Sequence, residues 1–350
     1  MVKEAVFAVP GDLSTPTGGY VYDRRIIGEL QALGWRIDVL DLGDGFPHPT
    51  PTTRAGACKQ LALLAHGSVI VIDGLAYGAL PEAAELLHPR HRVIALVHHP
   101  LALETGLNAE QAGALRESER AALSRAHHVI ATSAATARLL AADYGVGADR
   151  LTVVQPGTDR ATPQPRECGA VVAILSVGAV VPRKGHDILV AALAQLGHLP
   201  WRLLIVGDRE RSVETARKLD QDIVRFGLAE RIAFTGAVSP QRLAALYASA
   251  DLFVLSSRFE GYGMAYAEAI AHGLPVVGTN AGAIPETVPP GAGVLLAPDD
   301  VGALVATLRR LIESPAERMV LAAGARAAAA TFPSWRDSAM LFSQALDSVA

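Results

Sequence analysis

Cysteine is scarce. Only Cys58 and Cys168 occur in 350 residues, a number and spacing that suit neither a disulfide framework nor a thiolate metal site. Positive charge is not in excess either. A net charge of -4 with no local Lys/Arg cluster argues against a nucleic-acid partner, whose phosphates need neutralising, and against a charge-driven membrane anchor. No apolar run is long enough to span a bilayer: Leu61 to Leu80 is broken by His66, Gly67, Asp73 and Gly74, short of the roughly 18–20 residues required. The opening "MVKEAVFAVPGD" has no apolar leader core or small-residue cleavage site, so cytoplasm is the expected location. Walker loops and G-x-S-x-G elbows are missing.

What is present is ordinary globular composition, half hydrophobic and 19% charged, in a chain longer than one core usually serves, so two domains are expected. Short β-branched runs alternate with helix-length segments: "AVFAVP", "RIDVLDL", "SVIVIDG", "RVIALVHH", "HHVIATS" and "LTVVQPG", then again after Gly169 "VVAILSVGA", "WRLLIVGD", "RIAFTGAV", "ADLFVLSS", "PVVGT" and "GVLLAP". Such runs read as buried parallel strands, and the restart reads as two successive α/β, Rossmann-like domains. The stretch "QPGTDRATPQPRECG", with Pro156, Gly157, Pro163 and Pro165, interrupts any regular element and marks the linker. The expected division is 1–165, 166–333 and a final helix, 334–350, opened by the capping residue Ser334 after Pro333 and packed on the N-terminal domain. Parallel sheets bind ligands at the carboxyl ends of their strands, so the site is expected in a cleft between facing sheets.

The stretch "SRFEGYGMAYAEAIAHGLPVVGTNAGAIPE" (Ser257–Glu286) carries two acids, Glu260 in a loop after a strand and Glu268 in the helix that follows. A glycine-containing loop entering a helix exposes amide N–H groups at the positive end of the helix dipole, which suits phosphate oxygens. Carboxylates beside such a site fit hydroxyls better than phosphate, one facing a sugar and the other a ribose. Taken alone, the spacing fits a solvated helix charge and a loop charge as well.

In context the stretch resembles the retaining GT-B glycosyltransferases of family four (glycosyl transferases group 1), whose signature is two Glu eight apart in this strand, loop and helix setting. The likeness extends through the "GLPVV" strand and the "GAIPE" turn, about thirty positions. It implies a GT-B fold and a retaining transfer of a sugar from a nucleotide-diphosphate sugar, a UDP- or GDP-sugar, to a hydroxyl of a lipid, glycan or small-molecule acceptor. It also implies donor-sugar contacts for Glu260, ribose contacts for Glu268, and backbone amides of Gly263, Met264 and Ala265 on sugar or diphosphate. No metal and no cofactor beyond the co-substrate are implied, and the leaving phosphate itself accepts the acceptor's proton.

A second likeness lies in "SVGAVVPRKGHDILVAAL", similar to the family's strand, loop and helix with a diphosphate-binding lysine. Lys184 fits that place, and a cation there meets the charge that develops on the departing diphosphate. The chain departs from the family in having Ala179 where an arginine commonly follows the first glycine, and Arg183 is expected to take over that grip. The family's Gly-Gly loop ahead of the first helix is matched by Gly18 and Gly19 in "LSTPTGGYVYDRRIIGEL", which lacks the G-x-G-x-x-G of a dinucleotide fold. The family's N-domain histidine is matched by His98 in "RVIALVHHPLALETGL", with His99 the second choice, and a neutral imidazole is expected to donate there. Asp220 and Asp222 in a polar helical stretch, and His127 and His128 at the start of a strand, do not make a metal site. A nucleotide-sugar epimerase on the same fold, or an inactive sugar-nucleotide-binding protein motivated by Ala179, are the alternative readings.

Overall fold

The computed structural model describes residues 3–104, 106–161 and 169–349. Every apolar run quoted above is a strand. The first sheet comprises β1 (Lys3–Val9), β2 (Trp35–Asp41), β3 (Val69–Asp73), β4 (Arg92–Val97), β5 (His128–Ala131) and β6 (Leu151–Val153). The second comprises β7 (Val172–Val177), β8 (Trp201–Val206), β9 (Ile232–Phe234), β10 (Leu252–Val254), β11 (Val276–Thr279) and β12 (Gly293–Leu296). All pairings are parallel. β3 is buried throughout and β4 beyond Arg92, because crossover helices cover both faces of such a sheet.

Contacts divide the chain into two compact units, Met1–Gly157 with Pro333–Ala350, and Thr158–Phe332. Pro163, Pro165, Cys168 and the expected boundary near residue 165 lie outside the described residues.

Strand order positions the sites. The second unit runs β12-β11-β10-β7-β8-β9, so the chain winds one way from β7 through β9 and the other way from β10 through β12. That reversal leaves a crevice beyond the carboxyl ends of β7 and β10. The first unit runs β2-β1-β3-β4-β5-β6, with its reversal between β1 and β3.

The C-terminal helix, Trp335–Asp347, completes the first unit. Phe342 stacks on Phe7 at 6.2 Å, and Trp335 meets Tyr22 edge-on at 5.9 Å. Gly157 lets the chain pass the helix start, since a Cβ there would lie 2.2 Å from the Trp335 amide nitrogen. Ser334 caps the helix in a reciprocal box with Asp337. Ser334→Ala is expected to lower the urea-unfolding free energy of this unit by about 1 kcal/mol, the usual worth of such a cap. An unchanged midpoint would show that tertiary contacts alone hold the helix.

Candidate active site

The loop after β7 turns through a short 3-10 segment, Pro182–Lys184, and enters the His186–Ala194 helix at Gly185. The loop after β10 carries Ser257, Glu260 and Gly263 into the Met264–Ala271 helix. The two loops touch backbone to backbone: Gly185 has φ +64°, and a Cβ on it would fall 2.0 Å from the Ser256 carbonyl oxygen. The Ser256 hydroxyl donates to the Gly185 carbonyl at 2.6 Å, and the Arg258 amide donates to the Arg183 carbonyl at 2.8 Å. The Arg258 side chain clasps Asp187 at 2.8 Å and Asp299 at 2.7 Å, bracing the same junction from outside.

At this junction Lys184 and Arg183 converge on Glu260. The Lys184 ammonium lies 2.6 Å from Oε1, where the Ser257 hydroxyl also donates at 2.6 Å, and the Arg183 guanidinium lies 3.1 Å from Oε2 while also donating to the Phe259 carbonyl. Glu260 is 6% exposed. Burial alone would raise its carboxyl, but Lys184, Arg183 and the Ser257 hydroxyl outweigh burial and hold it down to about 2. It is therefore a permanent carboxylate and not a proton donor. Gly178 gives the Lys184 stem its path, since a Cβ there would meet that side chain at 3.1 Å. His186, beneath the loop and 3.3 Å from the Gly178 carbonyl, is drawn down to about 4 by burial and stays neutral.

The second acid differs in state. Glu268 is half-buried in the helix and accepts from the Tyr247 hydroxyl at 2.8 Å. Burial pushes its carboxyl up to about 7, with Tyr247 opposing and Asp159 adding to the rise. Gly263, at φ +94°, turns the chain into the helix, leaving Met264 and Ala265 in its first turn. The "GAIPE" turn packs against the loop, with the Ala283 amide donating to the Glu260 carbonyl at 2.9 Å. A Cβ on Gly282, φ +57°, would be 2.3 Å from that same oxygen.

In the first unit, His98 follows β4, Asp73 ends β3, and Asp23 lies one turn into the Gly18–Ala32 helix. His98 Nε2 is 3.3 Å from Asp23 Oδ1 and 3.4 Å from Asp73 Oδ2, with Asp23 wholly buried and Asp73 nearly so. Among the described residues this is the one clustering of acids and imidazole close enough to share a single positive charge. Burial opposes protonation of His98, but the two carboxylates prevail and raise it to about 10. Both carboxylates come from elements remote from His98 in sequence.

The sequence-derived candidates fall into two groups. Arg183, Lys184, Glu260, Gly263, Met264, Ala265 and Glu268 gather in the second unit, and Gly18, Gly19 and His98 in the first. Arg183 and Lys184 are not an exposed loop pair; their side chains are 17% and 16% exposed. Gly18 and Gly19 do not precede the first helix but form its first two positions, because Thr17 caps it by accepting from the Tyr20 amide at 3.3 Å. Gly19 abuts the His98 ring, where a Cβ would stand 3.3 Å away. His99 faces Glu104 at 3.3 Å. Asp220 and Asp222 sit on the Val213–Arg225 helix paired with Arg209 and Arg225.

Ser257, Tyr247, Arg258, Asp23 and Asp73 were not among the candidates. Asp23 carried a readable signal, since it falls on the stripe Ile26, Ile27 and Leu30 that the helix buries; an acid on an apolar face needs a partner.

A model described as Glycosyl transferases group 1 matches residues 172–314, and one described as Glycosyltransferase Family 4 matches residues 66–162; between them they take in most of the chain. The chain belongs to the group 1, family four glycosyltransferases. This glycosyltransferase is 29% identical over 316 residues to an MMP alpha-(1->4)-mannosyltransferase of Mycolicibacterium hassiacum, covering 84% of this chain and 74% of that protein. It is 31% identical to a GDP-mannose-dependent monoacylated alpha-(1-6)-phosphatidylinositol monomannoside mannosyltransferase of Corynebacterium glutamicum over 55% of this chain, and spans only 51% of that relative. Among solved structures, sucrose-phosphate synthase of Thermosynechococcus elongatus superposes with TM-score 0.82 at 22% identity over 98% of both chains. Anabaena HepE in complex with UDP-glucose does so with TM-score 0.76 at 20% identity over 99% of both. At these identities the likeness is one of fold, the GT-B fold of two Rossmann-like units. No helix among the described residues of this glycosyltransferase is long and apolar enough to cross a membrane.

Proposed function

We propose that this glycosyltransferase moves a sugar from a nucleoside-diphosphate sugar, a UDP- or GDP-sugar, to an acceptor hydroxyl with retention at the anomeric carbon and without a bound metal. The observation that carries the reading is the convergence of Lys184 and Arg183 on one buried carboxylate at the β7/β10 reversal, beside the amino end of the Met264–Ala271 helix. Departure of a diphosphate concentrates negative charge on its oxygens, and two held cations with the amides of Gly263, Met264 and Ala265 meet it without reorganising. Arg183 fills the role left open by Ala179. Donors in relatives agree with this class: one mannosyltransferase is named for GDP-mannose and one GT-B neighbour holds UDP-glucose.

In this reading Glu260, always ionised, accepts hydrogen bonds from donor-sugar hydroxyls, and Glu268 accepts from the ribose. A double displacement through Glu260 is disfavoured because both its oxygens already accept charge-assisted or hydroxyl bonds. That supports front-face transfer, with the leaving phosphate taking the acceptor's proton. The acceptor is a lipid, a glycan or a small molecule.

A thermal-shift panel of UDP-, GDP-, ADP- and TDP-sugars tests the donor assignment, since a ligand of the folded state raises the midpoint with affinity. One nucleotide class is expected to stand out, with and without EDTA, and NMR of the product is expected to show the donor's anomeric configuration. Equal responses across the panel would sink the assignment. A pH series tests Glu268. A carboxyl raised to about 7 is protonated below that value, so nucleotide affinity is expected to strengthen from pH 6 to pH 8. Glu268→Gln is expected to flatten that dependence, and a parent-like slope in the variant would remove Glu268 from the ribose site.

A further inference from the structure

The reaction drawn above gives no part to His98 or to the two acids behind it. Asp23 is wholly buried, and neither of its oxygens, nor His98 Nε2, has a well-aligned hydrogen bond. Two buried carboxylates and the buried Nε2 therefore meet at ion-pair distance, and among the described residues no other group pairs with Asp23 and no second cation pairs with the cluster. From the Gly18–Ala32 helix come Tyr22, edge-on to the imidazole at 5.3 Å, and Asp23 itself. From the end of β3 comes Asp73, whose other oxygen caps the Leu75 amide at 2.7 Å. His99, next in the chain, is turned to Glu104. From beyond β5 the Thr132 hydroxyl donates to the His98 carbonyl at 3.1 Å. The Arg25 guanidinium lies over the Trp335 ring at 4.9 Å.

Two buried carboxylates around a neutral ring would leave negative charge without compensation, which is costly in a low-dielectric interior. A proton on the ring is the nearest remedy. The buried atom is Nε2, while the His98 side chain as a whole keeps 20% exposure. Gly19 closes over Cδ2. Whatever this ring offers a ligand therefore comes from its other edge.

We propose that Asp23 and Asp73 hold His98 as an imidazolium with its Nε2–H turned inward, so that Nδ1–H on the accessible edge is a fixed cationic donor for an anionic oxygen. Asp23 and Asp73 are positioning residues in this arrangement. Their effect is to keep a charged donor on the accessible edge of the ring, where a neutral histidine would offer only a switchable hydrogen bond. The charge state does not rest on the proposed function. The raised protonation of His98, to about 10, agrees with this distribution, whereas burial alone would put the proton on Asp23 and His98 pulls against it.

The test is two-bond 1H–15N correlation on the full chain carrying 15N-histidine, from pH 6 to pH 9, with His98→Gln to assign the signal among the 11 histidines. Both His98 nitrogens are expected to show protonated-type shifts throughout. In Asp23→Asn the ring is expected to titrate inside that window, at least 100-fold more acidic. A His98 that is neutral at pH 7 in the parent overturns the proposal even if neither Asp23→Asn nor Asp73→Asn folds. One equivalent of a divalent metal retained through dialysis and lost in Asp23→Asn would place a metal where the proposal places a proton, and also overturns it. A protonated His98 in a chain that binds no nucleotide sugar supports the charge assignment and removes the donor reading. A neutral His98 in a chain that binds one does the reverse.

Discussion

Lys184→Ala is expected to weaken binding of the preferred nucleotide sugar roughly 10- to 150-fold, the worth of one charge-assisted contact of about 1.5–3 kcal/mol. The same change is expected to destabilise the second unit by about 3 kcal/mol, because it leaves the buried Glu260 carboxylate short of its nearest cation, 2.6 Å away. The two effects are separable. In Lys184→Ala/Glu260→Gln no carboxylate is stranded, so much of the stability returns while nucleotide affinity does not. Glu260 also gives the pH signature. Its carboxyl is held at about 2, below the ordinary glutamate value of 4.5, so its contribution to stability is complete above the unfolded value and is lost as pH falls through the folded one. Without Lys184 the folded value rises, and the acid limb of the urea-unfolding profile is expected to move to higher pH. Nucleotide affinity unchanged by calorimetry would refute the placement of the diphosphate at Lys184.

The second large effect is expected from Gly185→Ala. At φ +64° a side chain is strained, and the added Cβ would stand 2.0 Å from the Ser256 carbonyl oxygen and 2.9 Å from its carbon. Both are backbone atoms that cannot swing aside. The loops after β7 and β10 must then separate, which costs about 2–4 kcal/mol and pulls Lys184 away from Glu260. A fall of several degrees in the unfolding midpoint, with the nucleotide-induced rise abolished, is the expected result. Gly197→Ala is the control, since the nearest neighbour of the added Cβ would be the Ala194 carbonyl oxygen at an ordinary 3.8 Å. If the two variants behave alike, the close approach of the loops is not what assembles the site.

Much of the architecture was legible because burial on both faces of a parallel strand forces continuous apolar runs. "VIVID", "RVIALV" and "WRLLIV" could be little else, and each is a strand as read. The acids of the second unit were legible by position, Glu260 in a loop and Glu268 in a helix. Their chemical states were not. The same residue type is held at about 2 in one case and raised to about 7 in the other, through Lys184, Arg183 and Ser257 for the first and burial against Tyr247 for the second. Gly18 and Gly19 were expected ahead of the helix and are its first two positions, because a threonine cap can begin a helix on glycine when its own side chain takes up an amide.

From the chain of residues alone came the two successive βα units, the loop and helix settings of Glu260 and Glu268, and the shortage of net positive charge and of long apolar runs, since these depend on local periodicity and composition. Which loops meet was settled only in three dimensions. Strand order brings the ends of β7 and β10 together although Lys184 and Glu260 are 76 residues apart, and it gathers Asp23, Asp73 and His98 from a helix and two strands around one ring nitrogen. Charge state follows from those neighbours, because the field at a buried group is set by what folding places a few ångströms away and not by what precedes it in the chain.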